Sequence, residues 1–212
     1  MAFFSSVLNK RFHISYTERY VIASGYFLLT SLLVFYSYRQ YFKPLLQSIG
    51  VAPWAILVGL FVLNPLVYWY ARKKLKRPTD FIDRNHDQNF IKLDYRYLVS
   101  KTFEIIFQQT CIIVLVSLLG QVGYSMFIIM LVFCLLFSVS HVPLFLTSRR
   151  RWASYYIVFS ALAGFIFPPL ILRVPSGYIY SFIIHWLFYT SAGVGFWIYF
   201  ARHARNQGVL QP

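Results

Sequence analysis

Acidic side chains are scarce in this chain of 212 residues: six Asp and Glu stand against twenty Lys and Arg, and charged residues make up only 12%. A soluble domain carries about a quarter charged residues. That shortfall, with 58% hydrophobic residues and a mean hydropathy of +0.58, excludes an ordinary water-soluble globule and indicates a polytopic integral membrane protein. Cysteine is nearly absent. Cys111 and Cys134 both lie in apolar runs, where they read as small buried hydrophobes rather than as a disulfide or redox pair. The leading MAFFSSVLNKRF is too short an apolar stretch for a cleavable signal peptide and lacks a small-residue cleavage site. The closing NQGVLQP is neither a prenylation box nor a retention signal. No internal repeat or low-complexity tract is visible.

What is present is apolar sequence in lengths that fit a bilayer. A membrane-spanning helix needs about 20 predominantly apolar residues. By that measure the chain is all-α with six transmembrane helices, at about Tyr20–Tyr38, Ala52–Ala71, Leu98–Leu119, Val122–Leu146, Ala153–Leu172 and Tyr178–Phe200. Gly120 and Gln121 alone separate the third and fourth, which predicts a tight hairpin. Pro168, Pro169 and Pro175 mark the exit from the fifth span and the turn into the sixth. Pro53 falls at a helix start, whereas Pro65 and Pro143 are interior and predict kinks.

The formal net charge of +14 points to membrane surfaces and not to nucleic acid, because the basic residues cluster at the ends of the apolar runs. Arg39 and Lys43 follow the first span and Arg173 follows the fifth. The other seventeen fall in the two tails, in the run from Arg72 to Lys101 and in the fourth connection. By the positive-inside rule both termini are cytoplasmic, in a multi-pass protein of the cell's inner or plasma membrane, with anionic headgroups as partners of the basic loops. The organisation predicted is an N-terminal segment 1–72 with two spans, a basic cytoplasmic linker 73–95, a four-helix core 96–200 and a tail 201–212. Phe81, Ile82, Phe90 and Ile91 give the linker an amphipathic look suited to the membrane surface. His86, Asp83 and Asp87 are too polar and local a group to count as a metal site.

Three ionisable groups fall inside the spans: Glu104, His141 and His185. Such groups cost at least a few kcal/mol each at bilayer depth and therefore face a bundle interior, where they serve a function. Each has a companion one turn away on its own helix face: Gln108 for Glu104, Phe137 for His141 and Tyr189 for His185. At ~1.5 Å rise per residue, Glu104 lies on the order of 9 Å from the cytoplasmic start of its span. On the same measure His141 lies roughly 10–12 Å from a cytoplasmic end, and His185 about 10 Å from an external one. The plain alternatives are an i, i+3 pair of Glu104 with Lys101, and histidines that merely hydrogen-bond in packing.

In order and spacing, F-E-I-I-F-Q-Q (Phe103–Gln109), F-S-V-S-H (Phe137–His141) and H-W-L-F-Y (His185–Tyr189) resemble the three motifs of the CPBP family of intramembrane proteases. That family includes the type II CAAX prenyl endopeptidases and bacteriocin-processing or immunity proteins. The resemblance covers residues 96–200. Glu104 matches the second glutamate of the first motif, EExxFRG. Phe137 and His141 match FxxxH, and His185 the histidine of HxxxN. Phe103 replaces the first glutamate, Gln108 the arginine and Tyr189 the asparagine. The resemblance implies an endopeptidase cutting a membrane-associated peptide or protein near the cytoplasmic leaflet. Glu104, His141, His185 and Tyr189 would be catalytic, with Gln108 and Phe137 at the substrate.

Two chemistries stay open. Glu104 can act as base with the histidines polarising the carbonyl, or Glu104, His141 and His185 can ligate a zinc ion that activates water. The competing functions are a non-catalytic relative acting as a binding, immunity or scaffold factor, a proton- or ion-linked transporter, and a haem-binding bundle with axial His141 and His185.

Overall fold

The computed structural model describes residues 17–47, 50–75, 93–146 and 150–206. Among these are seven α-helices: α1 Tyr20–Ser37, α2 Arg39–Gln47, α3 Val51–Lys74, α4 Tyr95–Gln121, α5 Met126–Val139, α6 Arg150–Arg173 and α7 Gly177–Asn206. A 3₁₀ turn, Val142–Leu146, extends α5. Six segments are long and apolar enough to cross a membrane: α1, α3, α4, α5 with its 3₁₀ extension, α6 and α7 through Arg202. The chain is a multi-pass helical membrane protein. Residues 76–92, which include His86, Asp83, Asp87 and most of the predicted linker, lie outside the described residues.

The core sits on α4 and α7, the two most buried spans. Helix α4 packs against α1, α5, α6 and α7, and α7 also holds α3 and α6. The outer helices turn one narrow stripe inward. In α1 that stripe is Ala23, Ser24, Phe27 and Ser31, a spacing of three and four that lines one helix face. Ser24 and Ser31 on it donate to carbonyls one turn back, Tyr20 O and Phe27 O. Leu29, Leu32, Leu33, Val62, Leu63 and Leu135 stand outward and more than half exposed, an apolar surface suited to acyl chains rather than to water.

Several connections depart from the sequence-based expectation. Helix α4 runs through Gly120 and Gln121, and the hairpin turns at Val122–Ser125 instead, where Gly123 takes φ +82° and Ser125 Oγ accepts from Ile128 N to start α5. Gly120 is helical, and the Leu172 side chain packs 3.3 Å from where its Cβ would stand. Pro168 and Pro169 lie inside α6, which continues to Arg173. Adjacent prolines remove two backbone donors, a loss that neighbouring helices absorb at bilayer depth. Pro143 does not kink a helix: α5 ends at Val139, and the proline sits in the 3₁₀ turn, as expected where a proline disfavours α-geometry in the residue before it. Pro65 is carried inside α3 and Pro175 sits in the α6–α7 turn.

Helix α2 has no counterpart among the six predicted elements. Its Phe42 is buried at 6% exposure, stacks on Phe35 (4.8 Å between centroids) and joins the cluster of Val116, Phe133 and Phe167, while Arg39 and Lys43 stay exposed. Nine residues are too few to span a membrane, so α2 is a short amphipathic helix at one end of the bundle.

Candidate functional site

The polar groups of the bundle form a seam between antiparallel α4 and α7. Trp186 Nε1 donates to Thr102 Oγ1 at 2.9 Å. Gln109 Nε2 donates to Ser181 Oγ, and Gln109 Oε1 lies 3.4 Å from His185 Nδ1. Lys101 Nζ stands over the Tyr189 ring, 3.9 Å from its centroid. Each rung pairs an α4 residue with an α7 residue and so fixes the register of the two helices.

Glu104, 2% exposed, lies on this seam with both oxygens engaged. Lys101 Nζ reaches Oε2 at 2.8 Å, and Gln108 Nε2 donates to Oε1 at 2.7 Å. The i, i+3 ion pair is therefore formed inside the bundle, and Gln108 serves the carboxylate. An ammonium and an amide donor together satisfy both carboxylate oxygens.

The histidines lie elsewhere. His141 follows the end of α5, beyond the Ser140 cap, rather than within the helix. His185 lies in mid-α7 at 7% exposure. Both face one cavity of about 560 Å³ between the end of α5, α6 and α7, together with Phe137, Tyr156, Phe167 and Tyr189. Phe137 stands between the imidazoles, edge-on to each, at 5.1 Å from His141 and 6.4 Å from His185. Tyr189 lies 5.7 Å from His185 and stacks on Tyr156 at 6.2 Å. Elsewhere the walls are apolar, and Leu162, Ile166 and Ile184 are both cavity wall and 42–51% exposed at mid-span. The cavity thus opens sideways, at the depth of the hydrocarbon.

No family model, curated protein or solved structure matches this chain. The chemistry of the site therefore rests on its geometry.

The tautomers follow from the hydrogen bonds. His141 Nδ1 lies 2.7 Å from the Phe137 carbonyl oxygen, which can only accept, so Nδ1 carries a hydrogen. Gln109 spends its Nε2 on Ser181 and offers Oε1 to His185 Nδ1, giving His185 the same tautomer. Two imidazoles, each with Nδ1 facing an oxygen acceptor, are therefore held in one largely apolar cavity with a phenol beside them.

Zinc does not fit. Among the described residues no three His, Cys, Asp or Glu side chains group to hold a metal ion, and Glu104 spends its oxygens on Lys101 and Gln108. Glu104 and Gln108 are not on the cavity wall. Glu104 connects to it through Lys101 and Tyr189. Sequence reasoning missed Gln109, Ser181 and Phe167. Gln109 carried a signal, as a second amide in an apolar span. Ser181 and Phe167 carried none, because they gain their neighbours only where α4 and α6 meet α7.

Proposed function

We propose that the protein is an intramembrane endopeptidase of the CPBP type that admits a membrane-associated peptide or protein sideways into the cavity between α5, α6 and α7. The reading rests on one observation: His141, His185 and Tyr189 line the same lipid-level cavity. In this scheme an imidazole Nε2 takes a proton as a water oxygen adds to the peptide carbonyl carbon. The Tyr189 hydroxyl donates to the developing oxyanion. The proton held on the imidazole passes to the leaving amine as the C–N bond breaks. Glu104, engaged on both oxygens, acts as a counter-charge to Lys101, so the base role moves from the carboxylate to an imidazole.

A second reading, an inactive relative that binds a peptide, lipid or partner membrane protein, is favoured by that same engagement of Glu104 and its place behind the cavity wall. One experiment separates them. The purified protein is incubated in lipid nanodiscs with an apolar peptide substrate, and a photo-crosslinker replaces Phe159 on the cavity rim. The peptidase reading predicts crosslinking together with cleavage, and a loss of cleavage of about 10²-fold or more in His141→Ala and His185→Ala with melting unchanged. Crosslinking without cleavage selects the binder. Undiminished turnover by the double histidine variant would end the catalytic proposal.

We also assign both termini to the cytoplasm of an inner or plasma membrane, on the division of basic residues into seventeen and three. No nucleic-acid partner is proposed. In a background with Cys111 and Cys134 replaced, Tyr124→Cys on the α4–α5 turn is expected to react with an impermeant maleimide in intact cells. Labelling only after lysis would reverse the orientation.

A further inference from the structure

A second cavity, of about 460 Å³, lies at the end of the bundle opposite the basic loops, between α2, the α4–α5 turn and the end of α6. Its walls mix polar and apolar groups. Gln40 and Tyr41 of α2, Gln121 of α4 and Arg173 of α6 supply the polar part, and Leu172 and Ile129 the apolar floor. Tyr41 OH donates to Gln121 Oε1 at 3.1 Å, which ties α2 to the end of α4 and holds one wall in place. The Arg173 side chain is exposed and has no hydrogen bond or ion pair among the described residues.

The charge at this end is of one sign. Residues 38–50, 120–125 and 173–177 contain Arg39, Lys43 and Arg173 and no Asp or Glu. A guanidinium with unused donors, in a groove whose floor continues onto apolar span surface, suits an anionic oxygen group carried on an apolar tail. We infer that this groove is a binding site for one anionic phospholipid, with its phosphate on Arg173 and an acyl chain along Leu172 and Met126. The groove lies at the ends of three spans, α4, α5 and α6, at the level a lipid phosphate occupies, and α2 lies at the same end with Arg39 and Lys43 exposed. The site is separate from the α5–α7 cavity and does not depend on peptidase activity.

The test is native mass spectrometry of the intact protein in detergent, exposed to equal amounts of phosphatidylglycerol and phosphatidylcholine. One phosphatidylglycerol is expected to be retained in preference. Arg173→Gln is expected to weaken that retention about tenfold, the loss of one charge-assisted contact. Arg39→Gln, a cation of the same face off the groove wall, should change it by less than about twofold. Arg173 is exposed and outside the buried clusters, so the variant should melt with the parent. The lipid preference of the unaltered protein stands independently of any variant. Equal retention of the two lipids overturns the inference, as does an Arg39→Gln effect as large as that of Arg173→Gln, which would mean diffuse attraction. Displacement by millimolar inorganic phosphate would reassign the groove to a free anion and also overturn it.

Discussion

Glu104→Ala is expected to destabilise the protein by about 3–5 kcal/mol, because it leaves the Lys101 ammonium buried without its counter-charge. Lys101 Nζ lies 2.8 Å from Glu104 Oε2, with the side chains only 11% and 3% exposed. The Tyr189 face, 3.9 Å away, offsets a minor part of the loss, about 1–2 kcal/mol for a desolvated cation–π contact. Replacing both members, Lys101→Met with Glu104→Leu, should restore most of the lost stability, since apolar groups of similar size serve a buried pair's space at little or no cost. Thermal unfolding of the single and double variants in detergent measures the coupling. A single-variant cost under about 1 kcal/mol would mean that Lys101 swings to the headgroups and the pair is only a surface one. The cycle bears on function too. A Glu104 variant loses activity by misfolding as readily as by chemistry, and only the double variant keeps the fold while removing the carboxylate.

Gly177→Ala is expected to cost more than about 3 kcal/mol, beyond the usual range for overpacking, because the clash is with backbone. A Cβ on Gly177 would run into the Leu170 carbonyl group. That carbonyl is fixed in turn by Val174 N at 3.2 Å, and Gly177 N itself donates to Val174 O at 2.9 Å. Neither side can yield without opening the α6–α7 turn. The turn sets how α7 returns against α4, so the variant should also loosen the seam at Gln109 and Ser181. Gly59→Ala and Gly195→Ala are the controls: neither Cβ would meet an atom within 4 Å, and alanine in a helix interior is favoured over glycine by about 0.5–1 kcal/mol. A Gly177→Ala protein that melts with these two would show that the turn is not tight.

Element existence was legible in the sequence, and its boundaries less so. Apolar length placed all six spans within a few residues, since in lipid a helix must satisfy its own backbone and must reach across. Proline and glycine misled where context decides. Pro168 and Pro169 read as an exit but sit within α6. Gly120 read as a turn but lies within α4, packed against Leu172. Helix α2 has no span-length signal and is held by tertiary contacts, Phe42 in the cluster of Val116 and Phe167 and Tyr41 on Gln121.

For the candidate site, the presence of Glu104, His141 and His185 inside apolar segments marked them at once, because polar groups are rare and costly there. Composition and apolar length by themselves determined that this is a six-span helical membrane protein, a consequence of solvent that any arrangement of the helices would share. Which polar groups meet was decided only by the tertiary structure. The register of α4 against α7 pairs Lys101 with Glu104 beside Tyr189 and sets Gln109 against His185, while the break at Pro143 turns His141 toward the cavity. Spacing along one helix fixes neighbours on that helix alone. Contacts between helices depend on rotation and offset, and those are set by fitting the side chains of every helix together at once.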